Sequence, residues 1–233
     1  MTGTLYLLPT PLGETDTPWL LPHDAAKIRP IRHFVVEAEK TARRHLKLLS
    51  LDTPLQQLHL SLLNEHTAAD RLPEMLQPLL AGHDVALMSE AGCPAVADPG
   101  AALVALAHQR NIPVMPLVGP SSLLLALMAS GANGQSFAFK GYLPAAGDER
   151  KLALRTLEKR IQHSGESQIF IETPYRNPAL LTDMLGTLND HTRLCIAADL
   201  TLPDQLIASH SIAAWKKRTL PDLKKRPCIF VLF

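Results

Sequence analysis

The stretch Val85-Ala86-Leu87-Met88-Ser89-Glu90-Ala91-Gly92-Cys93-Pro94-Ala95-Val96-Ala97-Asp98-Pro99-Gly100 decides how the chain reads. Val85 to Met88 is a short apolar run of the kind that forms a buried strand. A loop of small residues follows, broken by Gly92, Pro94, Pro99 and Gly100. Apolar residues then recur at Leu103, Val104, Leu106 and Ala107 with helical spacing. Strand, tight loop and helix in this order build ligand sites in α/β proteins, because the loop lies at the carboxyl end of the sheet. Small side chains there let a ligand approach the backbone N–H and C=O groups. The same pattern also serves as a plain connection, and periodicity does not separate the two.

Upstream of this stretch the pattern predicts strands at 4–8, 32–37 and 57–62, with helices at 40–49 and 68–80. Downstream it predicts a strand at 112–117 and a helix at 123–130 that opens on Ser121-Ser122 and stops at Gly131. Those two serines can cap the helix or present hydroxyls to a ligand. Gly131-Ala132-Asn133-Gly134-Gln135 is the best linker in the chain. Beyond it lie expected strands at 136–140, 167–172, 193–198, 205–208 and 227–233, and helices at 148–163 and 177–188. The expected fold class is α/β, built from two α/β domains. Residues 1–132 form the first, on a mainly parallel sheet, and residues 133–233 form a smaller second.

Composition bounds the function. Of the 233 residues 46% are hydrophobic and 19% charged, so the chain is globular with a substantial core. No secretory signal precedes the first strand, and the apolar run 123–129 is far too short to span a bilayer. Three widely spaced cysteines and ten histidines without ligand spacing fit a reduced cytoplasmic compartment with no structural metal and no membrane partner. The net charge of +1 argues against a general polyanion binder, but it is unevenly shared. Residues 1–133 carry net −3 and residues 134–233 net +4, so an anionic partner would lean on the second half. The runs Lys216-Lys217-Arg218 and Lys224-Lys225-Arg226 read either as solvated surface or as phosphate contacts. A dinucleotide fingerprint after the first strand and a Walker A motif are both absent.

The loop Ser89 to Gly100 resembles the S-[DE]-A-G-x-P-x-x-[AS]-D-P-G loop of the ribosomal RNA small-subunit methyltransferase I family, within the tetrapyrrole-methylase-like class. Further matches follow in that family's order. They are Gly3-Thr4-Leu5-Tyr6-Leu7-Leu8-Pro9-Thr10-Pro11-Leu12-Gly13, Asn64-Glu65-His66, Val118-Gly119-Pro120-Ser121-Ser122, Phe139-Lys140-Gly141-Tyr142-Leu143-Pro144 and Glu172-Thr173-Pro174-Tyr175-Arg176. Two segments depart from the pattern. Gly13 is followed by Glu14-Thr15-Asp16 where the family has Gly-Asn and an acidic residue, and Glu-Asp-Thr-Arg is replaced by Glu37-Ala38-Glu39-Lys40-Thr41-Ala42-Arg43-Arg44. The chain therefore resembles a divergent paralogue.

The resemblance implies S-adenosylmethionine (SAM) as cofactor, in a cleft between two domains. Its expected contacts are Leu8, Pro9, Ser89, Glu90, Ala91, Gly92, Val96, Ala97, Ser121 and Ser122, closed by Tyr142, Leu143, Glu172 and Thr173. It implies 2′-O-methylation of ribosomal RNA, in the RNA or in the small ribosomal subunit, by a homodimer. The competing acceptor is a small molecule such as a tetrapyrrole, and a SAM-binding paralogue without catalysis is a third reading. A ribose hydroxyl must lose a proton, for which Glu65, His66 and Asp98 are candidates, with Glu37 of the same type. Asn64-Glu65-His66 also reads as a helix start capped by Asn64. Trp19 is a stacking platform or a packing residue. RNA phosphates would meet Arg43, Arg44, Arg150, Lys151 and Arg176.

Overall fold

The computed structural model describes all 233 residues, which form two compact units, Met1–Ser121 and Ser122–Phe233. In the first unit the elements are β1 (Leu5–Leu7), α1 (Pro22–Ile28), β2 (His33–Val36), α2 (Glu39–Leu46), β3 (His59–Leu62), α3 (Leu72–Met75), α4 (Gln77–Leu80), β4 (Val85–Met88), α5 (Ala101–Gln109) and β5 (Val114–Pro116). The strands lie in the order β3-β2-β4-β1-β5, every neighbouring pair parallel. A parallel sheet has its helices on both faces, so its central strands must be apolar on both. Strand β4 meets that demand: none of its four side chains is more than 2% exposed. Ala86 and Met88 enter one core with Phe34, Val36, Ile28 and Leu46, while Val85 and Leu87 enter another with Leu5, Val35, Leu79 and Leu103.

Those two cores place the helices. Helices α1 and α2 cover the first face, and α3, α4 and α5 the second. The connections leaving the neighbouring strands β1 and β4 therefore run to opposite faces. Such a point of divergence opens a crevice at the carboxyl edge of a sheet.

In the second unit the elements are α6 (Ser122–Ser130), β6 (Phe137–Tyr142), α7 (Gly147–Ser164), β7 (Ser167–Ile171), α8 (Asn177–Thr187), β8 (Arg193–Ala198), β9 (Leu206–Ser211), α9 (Ile212–Lys216) and β10 (Cys228–Leu232). The strand order is β6-β7-β10-β8-β9, with β6 and β7 parallel and every other pair antiparallel. Phe170 and Phe230 sit opposite each other on β7 and β10 with their rings stacked at 5.7 Å. Such a pair adds about 0.5–1.5 kcal/mol beyond its burial. Trp215 closes the same core and satisfies its indole by donating Nε1–H to the Leu194 carbonyl at 2.9 Å.

Several elements differ from the sequence expectation. The helix expected over 68–80 is a 3-10 turn at Ala69–Arg71 followed by the separate single turns α3 and α4. Pro73 and Pro78 each lack the N–H that a continuous helix would need. Helices α1 and α9, of seven and five residues, carry no expectation because they are too short for a periodic signal. The units part at 121/122, eleven residues before the 132/133 break that the linker composition predicts. Helix α6 packs on β8, β9 and β10 and so belongs with the second unit.

Burial lowers the pKa of two histidines. His45 is 2% exposed, neither ring nitrogen has a partner, and burial pushes its pKa down from 6.5. His33 stacks on His59 at 4.8 Å and lies 5.5 Å from His83. Burial first, then these neighbours and Arg32, lower its pKa from 6.5. A group with a depressed imidazole pKa binds fewer protons folded than unfolded, so stability falls as pH drops below the unfolded value. Urea unfolding is expected to give a lower stability at about pH 5.5 than at about pH 7.5. In His45→Phe, which keeps the buried ring and removes its titration, this loss becomes smaller.

Candidate functional site

The carboxyl edge of the first sheet gathers every loop that the sequence singled out in that unit. Leu8, Pro9 and Thr10 follow β1, Glu37 follows β2, Asn64-Glu65-His66 follows β3, Ser89 to Gly100 follows β4, and Leu117 to Ser121 follows β5. Two loops are tied across the crevice. Thr10 N–H donates to the Gly92 carbonyl at 2.8 Å, and Gly92 N–H donates to the Thr10 carbonyl at 3.1 Å. Gly92 adopts a φ of 83°, where a side chain would be strained. Gly119 is required for a different reason, because a Cβ on it would lie 2.2 Å from Pro9 Cγ. Trp19 donates its indole N–H to the Pro9 carbonyl at 2.7 Å and packs against the first core. It therefore buttresses the β1 loop.

The loop after β4 presents backbone more than side chains. Ala95 and Ala97 both hold positive φ, at 65° and 64°. Ala91, Val96 and Ala97 are exposed. Ser89 is 5% exposed, and its Oγ makes no hydrogen bond of normal geometry. Its neighbour is the Asp98 carboxyl, whose pKa it lowers.

Around this loop the structure collects four carboxyl groups. Glu37 Oε2 accepts from the Glu90 N–H at 3.1 Å, and Glu90 Oε1 accepts from Thr41 Oγ1 at 2.8 Å. Burial, then Glu37, pushes Asp98 up to about 6; Ser89 opposes this rise and Glu90 adds to it. Glu37 is also raised, chiefly by burial, against the pull of the Glu90 N–H and with the push of Glu90 and Glu65. Burial raises the pKa of Cys93, and its Sγ donates to the Pro120 carbonyl at 3.4 Å.

The sequence candidates separate accordingly. Asp98 shares an environment with Glu37, Glu90 and Ser89. Glu65 and His66 form a 3.5 Å pair, but their side chains are more than 80% exposed. Asn64 neither starts a helix nor aims that pair inward. Its Oδ1 accepts from the His66 N–H at 3.0 Å in a local turn, and the helical turn begins only at Ala69. The contributions of Thr10 and Thr41 went unread, although Thr41 stands four residues after Glu37 and Thr10 lies in the Pro-Thr-Pro loop.

In the second unit Tyr142 is 57% exposed, while Leu143 belongs to the core at 7%. Glu172 is 4% exposed and accepts from the Thr173 N–H at 2.6 Å and from Arg176 Nε at 2.9 Å. Ser122 begins α6. No group of three or more His, Cys, Asp or Glu side chains is arranged to hold a metal ion.

Most cations expected to meet phosphate are engaged. Arg150 is 7% exposed and binds Asp183 and the Ala145 carbonyl, and Lys151 lies 3.8 Å from Asp183. Arg176 pairs with Glu172. Arg43 reaches Glu39 at 3.6 Å and the Leu55 carbonyl at 2.9 Å. Arg44 pairs with Glu14 at 2.7 Å, which joins the two segments where the sequence departs from the family pattern.

No protein-family model matches the chain. It is 31% identical over 230 residues to the ribosomal RNA small subunit methyltransferase I of Xylella fastidiosa, covering 99% of this chain and 80% of that protein. The chain belongs to the ribosomal RNA small subunit methyltransferase I family. The proteins of the same name from Pseudomonas aeruginosa (31% identity, 91% and 71% covered) and Micromonospora olivasterospora (35%, 87% and 61%) agree. Among solved structures, the methyltransferase CobJ matches with a TM-score of 0.64 at 18% identity, over 99% of this chain and 94% of that one. The cobalt precorrin-4 methyltransferase CbiF matches at 0.61 and 12%, over 98% and 94%. These likenesses show the fold alone, two α/β domains of the tetrapyrrole methylase type. Within that family frame, Asp98 is the carboxyl group that the fold perturbs most clearly.

Because folding raises its pKa from 3.8 to about 6, Asp98 favours the folded state while protonated. That contribution is lost as pH rises from the unfolded value through the folded one. Asp98→Asn, which cannot ionise, is expected to raise the melting temperature at about pH 8 and leave it nearly unchanged at about pH 4.

Proposed function

We propose that this chain is a SAM-dependent methyltransferase that methylates the 2′-hydroxyl of a ribose in ribosomal RNA of the small subunit. The observation that carries the reading is the switch-point crevice of the first unit, in a chain of this family. Its floor is backbone, and the Asp98 carboxyl stands beside it with a pKa pushed up to about 6. The Ser89 hydroxyl beside Asp98, the backbone at Ala91, Gly92, Val96 and Ala97, and the carboxylates of Glu37 and Glu90 suit a cationic ligand with ribose hydroxyls. Leu8, Pro9 and Ser121 from the first unit join this set. The family resemblance adds Ser122, Tyr142, Leu143, Glu172 and Thr173 from the second.

When bound, SAM supplies an electrophilic methyl group on a sulfonium. The rest is the work of the chain. Holding donor and acceptor in line can remove roughly 7–11 kcal/mol of barrier, so rigid loops matter more than reactive side chains. The Thr10–Gly92 pairing and the Gly119–Pro9 contact provide that rigidity. Asp98 takes the proton that the ribose hydroxyl must lose. A carboxyl with a pKa of about 6 remains ionised at neutral pH and is a better base than an ordinary aspartate.

The same reading includes a cytoplasmic location and a homodimer. No helix is long and apolar enough to cross a membrane. Met128 in the second unit exposes 80% of its surface, an apolar side chain that a partner could cover.

The deciding assay incubates the protein with methyl-labelled SAM and, separately, small ribosomal subunits, naked ribosomal RNA and a small-molecule extract. Label is expected in the subunit RNA, recovered as a 2′-O-methylnucleoside. Label in the extract alone, or in none of the three, overturns the reading. Asp98→Asn is expected to lower kcat about 10²-fold and leave SAM affinity within a few-fold.

A further inference from the structure

Helix α7 turns its charges unequally. Glu158 points inward, where it accepts from Asn189 N–H at 2.8 Å and Asn189 Nδ2 at 2.6 Å, and Thr192 Oγ1 also donates to it. Arg150 is likewise buried against Asp183. Outward, Arg155, Lys159 and Arg160 are exposed; Arg155 and Lys159 form no ion pair, while Arg160, after Gln168 and Lys140, helps to lower the pKa of Glu166. Arg155 and Lys159 stand one helical turn apart on the same face, a placement in which like charges repel. The helix dipole rewards cations in the last turn, and the helix ends at Ser164, so it does not account for Arg155.

On the adjoining face of α7, which carries Arg160, an open cavity of about 430 Å³ lies between the helix and the end of β6, an edge strand. Its lining includes Leu152, Ala153, Thr156 and Arg160 from one face of α7, with Pro144 and Lys140. Leu152 is 65% exposed, an apolar side chain held open to solvent. Arg160 and Lys140 mark one end. Glu166 lies 3.8 Å from Lys140 there, while Glu149 of the first turn lines the cavity as well. Two cations without ion pairs on one face of α7, with Arg160 on the adjoining face lining an apolar recess, fit single-stranded nucleic acid, where phosphates follow the charges and a base leaves water.

We propose that α7 and this cavity dock a single-stranded segment of the RNA substrate, with phosphates along Arg155, Lys159 and Arg160 and one base over Leu152 and Ala153. The proposal rests on the RNA reading above and adds where that RNA is held.

The test uses full-length protein, a fluorescent single-stranded oligonucleotide of small-subunit RNA, and labelled SAM. The double variant Arg155→Gln/Lys159→Gln is expected to bind the oligonucleotide roughly tenfold more weakly at about 150 mM salt. Removing two phosphate contacts should shallow the slope of log affinity against log salt by about 1.4. Leu152→Glu, with a melting temperature like the wild type's, is expected to lose RNA affinity while its calorimetric SAM affinity stays unchanged. Wild-type methylation of ribosomal RNA with unaltered affinity and salt slope in both variants overturns the docking site and leaves the RNA reading standing. A wild-type protein that neither binds the oligonucleotide nor labels ribosomal RNA overturns both. RNA binding unaffected by the variants while poly-glutamate binding is lost would show a peptide site and sink the proposal.

Discussion

The reciprocal backbone pairing of Thr10 with Gly92 is the constraint on which the candidate site depends. Strands β1 and β4 are parallel neighbours, but the chain leaves them toward opposite faces of the sheet. Without a tie, the two loops would be free to part at the edge where a ligand must be held. Two backbone hydrogen bonds close that gap, and Gly92 is the residue that permits the required φ. Pro9 then has Gly119 against its ring and Trp19 on its carbonyl, so the β1 loop is fixed from three sides. Each such hydrogen bond contributes only about 0.5–1.5 kcal/mol net. Their value lies in fixing position.

Electrostatics follow from the same geometry. Parallel strands deliver their carboxyl-end loops to one edge, and this chain places Glu37, Glu65, Glu90 and Asp98 in those loops. Mutual repulsion and burial make Glu37 and Asp98 hold protons more tightly than ordinary carboxyls. A site of that kind favours a cation and can accept a proton near neutral pH. The second unit has the opposite bias. Its anions mostly serve buried or paired cations, and Arg155, Lys159, Lys217, Arg218, Lys224 and Lys225 face solvent without an ion pair.

Much of this was legible in the sequence where the signal is local. The apolar run at β4 and the small-residue loop after it read correctly, because a strand buried on both faces leaves few alternatives to aliphatic residues. Strand β8 was bounded to the residue for the same reason. What escaped depended on distance. Neither the inward turn of Arg150 toward Asp183 nor the Arg44–Glu14 pair shows in composition, since each joins residues about thirty positions apart. Glu65-His66 looked like a catalytic pair because adjacency in sequence mimics function, yet the turn made by Asn64 leaves both in solvent. The prolines at 73 and 78 were visible, and a helix drawn through them ignored their missing N–H groups.

A loop from Ser89 to Gly100 that holds its ligand by backbone groups, at the switch point of the first sheet, must exchange its amide hydrogens more slowly once the ligand is bound. Hydrogen–deuterium exchange with and without saturating SAM tests it most directly, since it reads backbone protection peptide by peptide. The account predicts slower exchange in peptides covering 89–100 and 8–13, with little change in those covering α3 and α4. Protection confined to other segments, with the 89–100 peptide exchanging at an unaltered rate, would contradict it.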